Sequence, residues 1–339
     1  MSLGTAILIF IGCAAVIAYA GTLLTRRADQ LADLTGMGEA FFGAVFLGGI
    51  TSLSGITTSV TAAIDNHPEL AVSNAIGGIA AQTVFLSVAD IVYPKTNLEH
   101  ASASLPNLME GVLLIILMAL VVVGITTPSF TILNIHPTSF LLVIVYVWGT
   151  RLISKAKDAP MWKPKQTKET VEDVPEQENI DNLSLKSTLI QFIFLAVVVA
   201  FAGYGISKTG IIIADKSGLS EQFVGSLFTA VATSLPELVV SISAVRQKAL
   251  TMAVANIIGG NTFDVLFVAF ADVGYREGSI LHTSALKTGF IVSETILLTA
   301  ILLLGLLHRQ KKGFAGIGWE SAAIIVIYVL SQVYIYFSG

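Results

Sequence analysis

The sequence predicts an all-α integral membrane protein of ten transmembrane helices in two inverted five-helix repeats. Three observations predict it: a scarcity of charge, ten long apolar stretches, and an internal repeat relating the first five stretches to the last five. Of 339 residues, 54% are hydrophobic and 12% charged, where an ordinary soluble domain carries roughly 25% charged residues. With a mean hydropathy of +0.79, too little polar surface remains to coat a water-soluble globule. A soluble enzyme, a nucleic-acid binder and a disordered scaffold are excluded as primary readings. The single cysteine, Cys13, excludes a disulfide framework and a cysteine-rich metal centre.

A bilayer core about 30 Å thick is crossed by about 20 apolar helical residues. The stretches that qualify are 3–24, 40–63, 70–92, 106–126, 130–150, 186–206, 221–245, 250–273, 284–307 and 318–338. Barrel strands would be about 10 residues of alternating polarity, and these runs are twice that and continuously apolar. Ala18-Tyr19-Ala20 imitates a signal-peptide cleavage site, but Met1-Ser2-Leu3 carries no Lys or Arg and the apolar run is long for a signal core, so a retained helix is expected.

With both termini outside, the inner loops hold Arg26, Arg27, Lys95, the basic residues of the central loop, Arg246, Lys248, Arg309, Lys311 and Lys312. Only Lys208, Lys216, Arg276 and Lys287 fall outside. The excess of inner positive charge gives N-out, C-out, in a cell (plasma) membrane, with the central loop cytosolic. That loop, 151–185, is basic and then acidic, contains Pro160, Pro164 and Pro175, and has no apolar period. It reads as a connector between a first five-helix unit, 1–150, and a second, 186–339.

Sliding the chain by 182 residues aligns the halves without a gap. Ala32-Asp33 falls on Ala214-Asp215, Gly36 on Gly218, Glu39-x-Phe41-x-Gly43 on Glu221-x-Phe223-x-Gly225, and Thr51-Ser52-Leu53 on Thr233-Ser234-Leu235. Asn74-x-Ile76-Gly77-Gly78 falls on Asn256-x-Ile258-Gly259-Gly260, and Ala89-Asp90 on Ala271-Asp272. Between 32–91 and 214–273 there are 21 identities in 60 positions. Because they include Asp, Glu, Asn, Thr and paired Gly, shared apolar composition does not explain them. Five spans is an odd number, so the second copy is inserted upside down. Inverted repeats of this kind belong to secondary transporters, whose ion sites lie near the midplane where corresponding helices break. The repeat is strongest in the second, third, seventh and eighth stretches.

The seventh stretch reads Thr233-Ser234-Leu235-Pro236-Glu237. Pro236 removes a backbone donor and crowds the preceding turn, so the helix should break there. The break frees carbonyls around Ala230 to Thr233, Thr233 and Ser234 add hydroxyls, and Glu237 adds a carboxylate. Hard oxygens with a negative charge suit a cation. Ser and Thr alone could simply join helices, but a carboxylate near mid-span costs at least about 2.5 kcal/mol unless it faces water or a partner. In the eighth stretch, Gly259-Gly260 permits close helix approach, and Asn261 and Asp264 place more oxygens on one face. No Lys or Arg lies within the span of Asp264, which favours a cation ligand or proton relay over a salt bridge.

Thr-Ser-Leu-Pro-Glu at 233–237, followed by Asn256 and Gly-Gly-Asn-Thr-Phe-Asp at 259–264, resembles the second signature repeat of the sodium/calcium exchanger, or cation/calcium antiporter, superfamily. The resemblance extends over nearly the whole chain and implies alternating-access exchange of sodium or protons against calcium. It implies acidic ligands at Glu237 and Asp264 and neutral ones at Thr233, Ser234 and the carbonyl of Ala230. The matching first-half positions are Gly48, Thr51, Ser52, Gly55 and Gln82. The chain departs from the family pattern where Ser54-Gly55 stands for Pro-Glu, Gln82 for an asparagine and Gly78-Ile79 for Ser-Asn. The alternative implied is a sodium- or proton-coupled exchanger that has lost calcium transport because the first-repeat glutamate is Gly55. The partners are inorganic cations (Na+, Ca2+ or H+) and the bilayer, with no cofactor and no nucleic acid.

The remaining polar residues read more simply. His100 and His282 align in the repeat and read as solvated caps, and Asp90 and Asp272 as interface anchors. Asp65 and Glu69 lie at the far end of the hairpin between the second and third stretches. Glu110 and Glu294 are placed near helix ends, within reach of an entry path. Nucleotide-binding and hydrolytic motifs are absent from the sequence, so ATP-driven or hydrolytic chemistry has no support. An intramembrane hydrolase would need a base near Ser52 or Ser234, and neither span supplies one. A transport-dead scaffold is opposed by the intact motif at 233–264.

Overall fold

The computed structural model describes residues 1–35, 49–93, 96–158, 160–165, 167, 184–313 and 317–338. Gly48, Gly36, Glu39, Phe41, Gly43 and most of the central loop lie outside the described residues. Helix α1, Leu3–Val16, runs through a π-turn at Ile17–Gly21 into α2, Thr22–Thr35. Then follow α3 (Leu53–Ile64), α4 (Pro68–Val92), the short α5 (Leu98–Ser102), α6 (Leu105–Thr126) and α7 (Pro137–Asp158). The second half contains α8 (Leu185–Ser217), α9 (Glu221–Thr233), α10 (Leu235–Arg246), α11 (Leu250–Gly274), α12 (Ala285–His308) and α13 (Trp319–Ser338). Among the described residues there is no strand beyond one bridge between Ile132 and Ile135.

Among the described residues, eight helices are long and apolar enough to cross a membrane, or nine if α9 and α10, bent by 48° at Ser234, count as one. The second expected stretch, 40–63, is only partly described and contributes α3. The fifth and sixth stretches are shifted from their expected bounds. Residues 130–135 form a turn, with Leu133 and Asn134 at positive φ, and the helix starts at Pro137, where a fixed φ suits a first turn. Helix α8 continues well past 206 through the buried Ile211, Ile213 and Ala214, and its Lys208 reaches Asp65 of the neighbouring hairpin, 2.5 Å away. It stops at Gly218, whose φ of +76° is a left-handed cap that glycine adopts without strain.

Helices α4 and α11 are buried over most of their length, whereas α1, α7 and α8 turn Leu8, Trp148, Phe194 and Phe201 outward. A helix that is apolar on all sides belongs in the interior. Such a core needs small residues where helices touch, because lipid gives no hydrophobic drive between apolar helices and close van der Waals contact must hold them. Helix α4 and the π-turn of α9 (Val224–Thr229) meet in this way. A Cβ on Gly77 would lie 2.5 Å from the Cα of Ser226, and one on Gly225 would lie 2.7 Å from the Cβ of Ser73 and 3.0 Å from the carbonyl of Leu70.

The backbone at Ser226 cannot yield as a side chain could. Gly77→Leu should therefore separate α4 from α9 and cost stability, by at least about 1–3 kcal/mol. Gly289→Ala, at a position with nothing within 4 Å of its Cβ, should leave the melting temperature equal or higher. Thermal melts of both variants in detergent check the contrast, and equal behaviour would remove the close-approach explanation.

Candidate cation site

Four side chains from both halves join in one buried cluster where α3, α4, the α9–α10 break and α11 meet. Ser52 donates its hydroxyl to Oδ1 of Asp264 at 2.5 Å, and Gln82 donates Nε2 to Oδ2 at 2.7 Å. The same Nε2 lies 3.2 Å from the hydroxyl of Ser234. Each of the four is at most 3% exposed. Asp264 therefore accepts on both oxygens from neutral donors. These two bonds hold the carboxylate in one orientation.

Glu237 lies three residues beyond the break, 4% exposed and within electrostatic reach of Asp264. Among the described residues its Oε2 has no hydrogen-bond partner, and neither has Oε1 of Gln82. The break itself is local chemistry. Ser234 adopts φ −98°, ψ 7°, and Pro236 supplies no N–H to continue the ladder. The carbonyl of Thr233, released by the turn, is taken by the hydroxyl of Ser54 at 2.9 Å. The carbonyl of Ala230 accepts from Ser234 N and from the Thr233 hydroxyl, both at 3.2 Å. Ser52 has nearly the same turn, φ −90° and ψ 10°, although Ser54 stands where the other half has proline.

Of the residues singled out from sequence, Ser52, Gln82, Ser234 and Asp264 are directly bonded, and Thr233, Ala230 and Glu237 adjoin them. Thr51 is half-buried beside Ser52. Asn261 turns its amide to Thr83, 3.3 Å away, and leaves Oδ1 without a partner. Gly48 lies outside the described residues. Two residues were missed: Ser54, which read only as a departure from a family pattern, and Thr83, which had no signal beyond its place next to Gln82.

The contacts recur at the offset of 182. Ser52–Asp264 is matched by Ser234–Gln82, and Asn74–Ser59 at 2.9 Å by Asn256–Ser241 at 3.5 Å. Oδ1 of Asp90 accepts from Leu98 N at 2.7 Å and Oδ2 from Gly318 N at 3.0 Å. Asp272 likewise accepts from Ile280 N at 3.0 Å and His136 N at 2.7 Å. The two aspartates fasten the chain at helix ends. Of the two histidines, His100 is buried and so not a solvated cap, while His282 caps from a partly exposed position. His100 Nδ1 lies 2.6 Å from the carbonyl of Arg309, and His282 Nε2 lies 2.7 Å from that of Thr127. Each ring holds a helix-end carbonyl that has no partner within its own helix.

The acids at the 65–69 hairpin are accounted for separately. Asp65 pairs with Lys208, and Glu69 lies 3.2 Å from Lys287 and also meets the hydroxyl of Ser284. His67–Glu221, at 2.6 Å, is a third such pair, and none of the three includes Glu237 or Asp264. Also among the described residues, no three His, Cys, Asp or Glu side chains group in a way that could hold a metal ion by themselves. A cation between Glu237 and Asp264 would draw its remaining ligands from hydroxyl, amide and carbonyl oxygens.

Gly55, the repeat partner of Glu237, is filled from outside. A Cβ there would meet Cε2 of Phe267 at 2.6 Å, and that ring is 3% exposed. Positive-φ glycines among the described residues are Gly218 and Gly278, so the need at 55 is for space and not for an unusual backbone.

The chain matches the family model described as sodium/calcium exchanger protein over residues 5–152 and 187–337. It is 26% identical over 273 residues to inner membrane protein YrbG of Escherichia coli (strain K12), covering 79% of this chain and 78% of that protein. Over 143 residues it is 29% identical to sodium/calcium exchanger MaX1 of Methanosarcina acetivorans, covering 42% of this chain and 38% of that one. Among solved structures, an H+/Ca2+ exchanger, CAX, superposes with a TM-score of 0.74 over 98% of this chain and 85% of that chain, at 13% identity. At that identity the superposition speaks for the fold alone.

Gly55→Ala should cost about 1–3 kcal/mol, because the Phe267 ring must move. In a Phe267→Ala background the same change should cost nothing measurable. A double-mutant cycle by thermal melting checks this, and equal costs in both backgrounds would show that the ring does not exclude a side chain at 55.

Proposed function

The chain belongs to the sodium/calcium exchanger protein family, and from that premise we propose that it is a secondary active cation antiporter whose ions bind near the midplane between Glu237 and Asp264. The observation that carries this reading is two buried carboxylates with no basic partner among the described residues, one of which keeps an oxygen without any protein donor. Such charges in a bilayer require a counter-charge or a proton. The ligands are Glu237, Asp264, Thr233, Ser234, Ser52, Thr51, Gln82, Asn261 and the carbonyls of Ala230 and Gly48.

Exchange follows from the same cost. With both carboxylates ionised and no cation bound, reorientation would carry two uncompensated charges through low dielectric. A cation released on one side must therefore be replaced before the site can turn back, and this couples two fluxes. The turning units are the two five-helix halves, 1–150 and 186–339, as inverted repeats of ten spans in all, joined by a cytosolic segment at 151–185 with both termini outside a cell membrane. Support comes from the paired contacts at an offset of 182 and from the matched breaks at Ser52 and Ser234.

One observation favours a narrower second reading. Phe267 fills the place where a first-half glutamate would start, leaving two carboxylates and no room for a third at that point. Calcium usually takes 6–8 oxygens with strong charge compensation. On this reading the protein couples sodium or protons to another cation and no longer carries calcium. Micromolar calcium binding by the native protein, about −8 kcal/mol by isothermal titration, would overturn it and leave the antiporter reading standing.

Glu237→Gln keeps the shape of the side chain and removes its charge. Gradient-driven flux in proteoliposomes should fall to background while the melting temperature stays within a few degrees of native. Native flux from this variant would remove Glu237 from the site.

A further inference from the structure

A second buried carboxylate system, separate from Glu237 and Asp264, sits between α12 and α13. Glu294 is the tenth residue of α12, about 13 Å along an axis of about 36 Å, so it lies at mid-helix and not near an end as its sequence position had suggested. It is 6% exposed, and among the described residues neither carboxylate oxygen has a partner at full hydrogen-bond geometry, Ser331 coming only within weaker reach. Facing it from α13 are Ser331 and Tyr328, both buried, and the Tyr328 hydroxyl is likewise without a partner. Tyr328, Ser331 and Gln332 share one face of α13 by their i, i+3, i+4 spacing. Oε1 of Gln332 accepts from the hydroxyl of Ser226 at 3.2 Å, which ties this face to the π-turn.

Among the described residues Glu294 is in none of the ion pairs found. Helix α13 contains no Lys, Arg or His, and α12 has only Lys287 and His308, about 10 Å and 21 Å along the axis from Glu294. Lys287 is already engaged with Glu69. An ionised carboxylate at this depth is costly without compensation. The surrounding groups are hydroxyl and carboxylate oxygens, the hard ligands that alkali and alkaline-earth cations take. With one negative charge in the pocket, a single positive charge balances it.

We propose that Glu294, Tyr328 and Ser331 form a second cation site, selective for a monovalent alkali cation such as sodium. The site is independent of the assignment of Glu237 and Asp264. Its position also gives it a role. Ser226 begins the turn of chain that reaches Ala230 and Thr233, and π-turns are local departures from α geometry that recur at functional sites. A cation held by Glu294 braces Gln332, and through it Ser226, so its occupancy sets how firmly the first part of α9 is held against α13.

The test uses full-length protein carrying Glu237→Gln, so that binding at the central site and binding at Glu294 are told apart. Sodium chloride is titrated against choline chloride at constant ionic strength and fixed pH, with melting temperature and titration heat as readouts. Sodium should still stabilise this protein and choline should not. Adding Glu294→Gln should weaken the apparent sodium affinity at least tenfold. The milder pair Tyr328→Phe and Ser331→Ala should weaken it several-fold and serves if Glu294→Gln does not fold. A sodium response that is absent in the Glu237→Gln protein, or unchanged by these substitutions, overturns the proposal. So does stabilisation that follows pH alone with no competition from sodium, which would make Glu294 a proton-binding group only.

Discussion

The hydrogen bond from the amide of Gln82 to the carboxylate of Asp264, 2.7 Å long and fully buried, is the contact on which the centre of the molecule depends. It joins two residues 182 apart, one from each half. It can form only where α4 and α11 cross closely, and the small residues of these helices allow that. The space beside Gly260 is occupied by Oε1 of Gln82, 3.6 Å from where a Cβ would stand, and that beside Gly78 by the hydroxyl of Ser234 at the same distance. In a bilayer, where apolar contact between helices is not driven by water, interhelical hydrogen bonds and tight packing of small residues supply the cohesion. One carboxylate is thereby fixed by neutral donors, and its charge is left for something else to balance.

Around that contact the backbone is interrupted on both sides, at Ser52 and at Ser234. The proline at 236 is a sufficient reason for the second break, but the first occurs with serine at 54 and nearly equal dihedral angles. Tertiary partners replace the missing ladder. The Ser54 hydroxyl satisfies the Thr233 carbonyl, and Asn74 donates to the Gly55 carbonyl at 3.3 Å. Irregular backbone at membrane depth is tolerated where it is buried in protein and its polar groups find such partners.

Much of this was legible in the sequence because membrane burial imposes simple rules. Helix positions followed from apolar length, and α6, α11, α12 and α13 fall within a residue of the expected bounds. Glu237 and Asp264 stood out as costly charges beside polar groups. Less legible were features set by long-range partners. Helix α8 outruns its expected bound at 206, and its far part is joined to the neighbouring hairpin by Lys208 and Asp65. His100 and His282 read as solvated caps because the carbonyls they hold, on Arg309 and Thr127, are more than 150 residues away. Gly55 read as a missing ligand, and nothing local indicated that Phe267 fills the place. Glu294 and Tyr328 lacked a signal because they face each other across two helices whose sequences look merely apolar.

The location of the transported ion tests this account most directly. Diffraction from crystals soaked in a heavy, anomalously scattering monovalent or divalent cation, at concentrations that saturate exchange, would place it. The expected result is an anomalous peak within ligand distance of both Glu237 and Asp264, bordered by the oxygens of Ser52 and Ser234. Saturated exchange with no peak between those carboxylates, and density elsewhere along the helices, would contradict it.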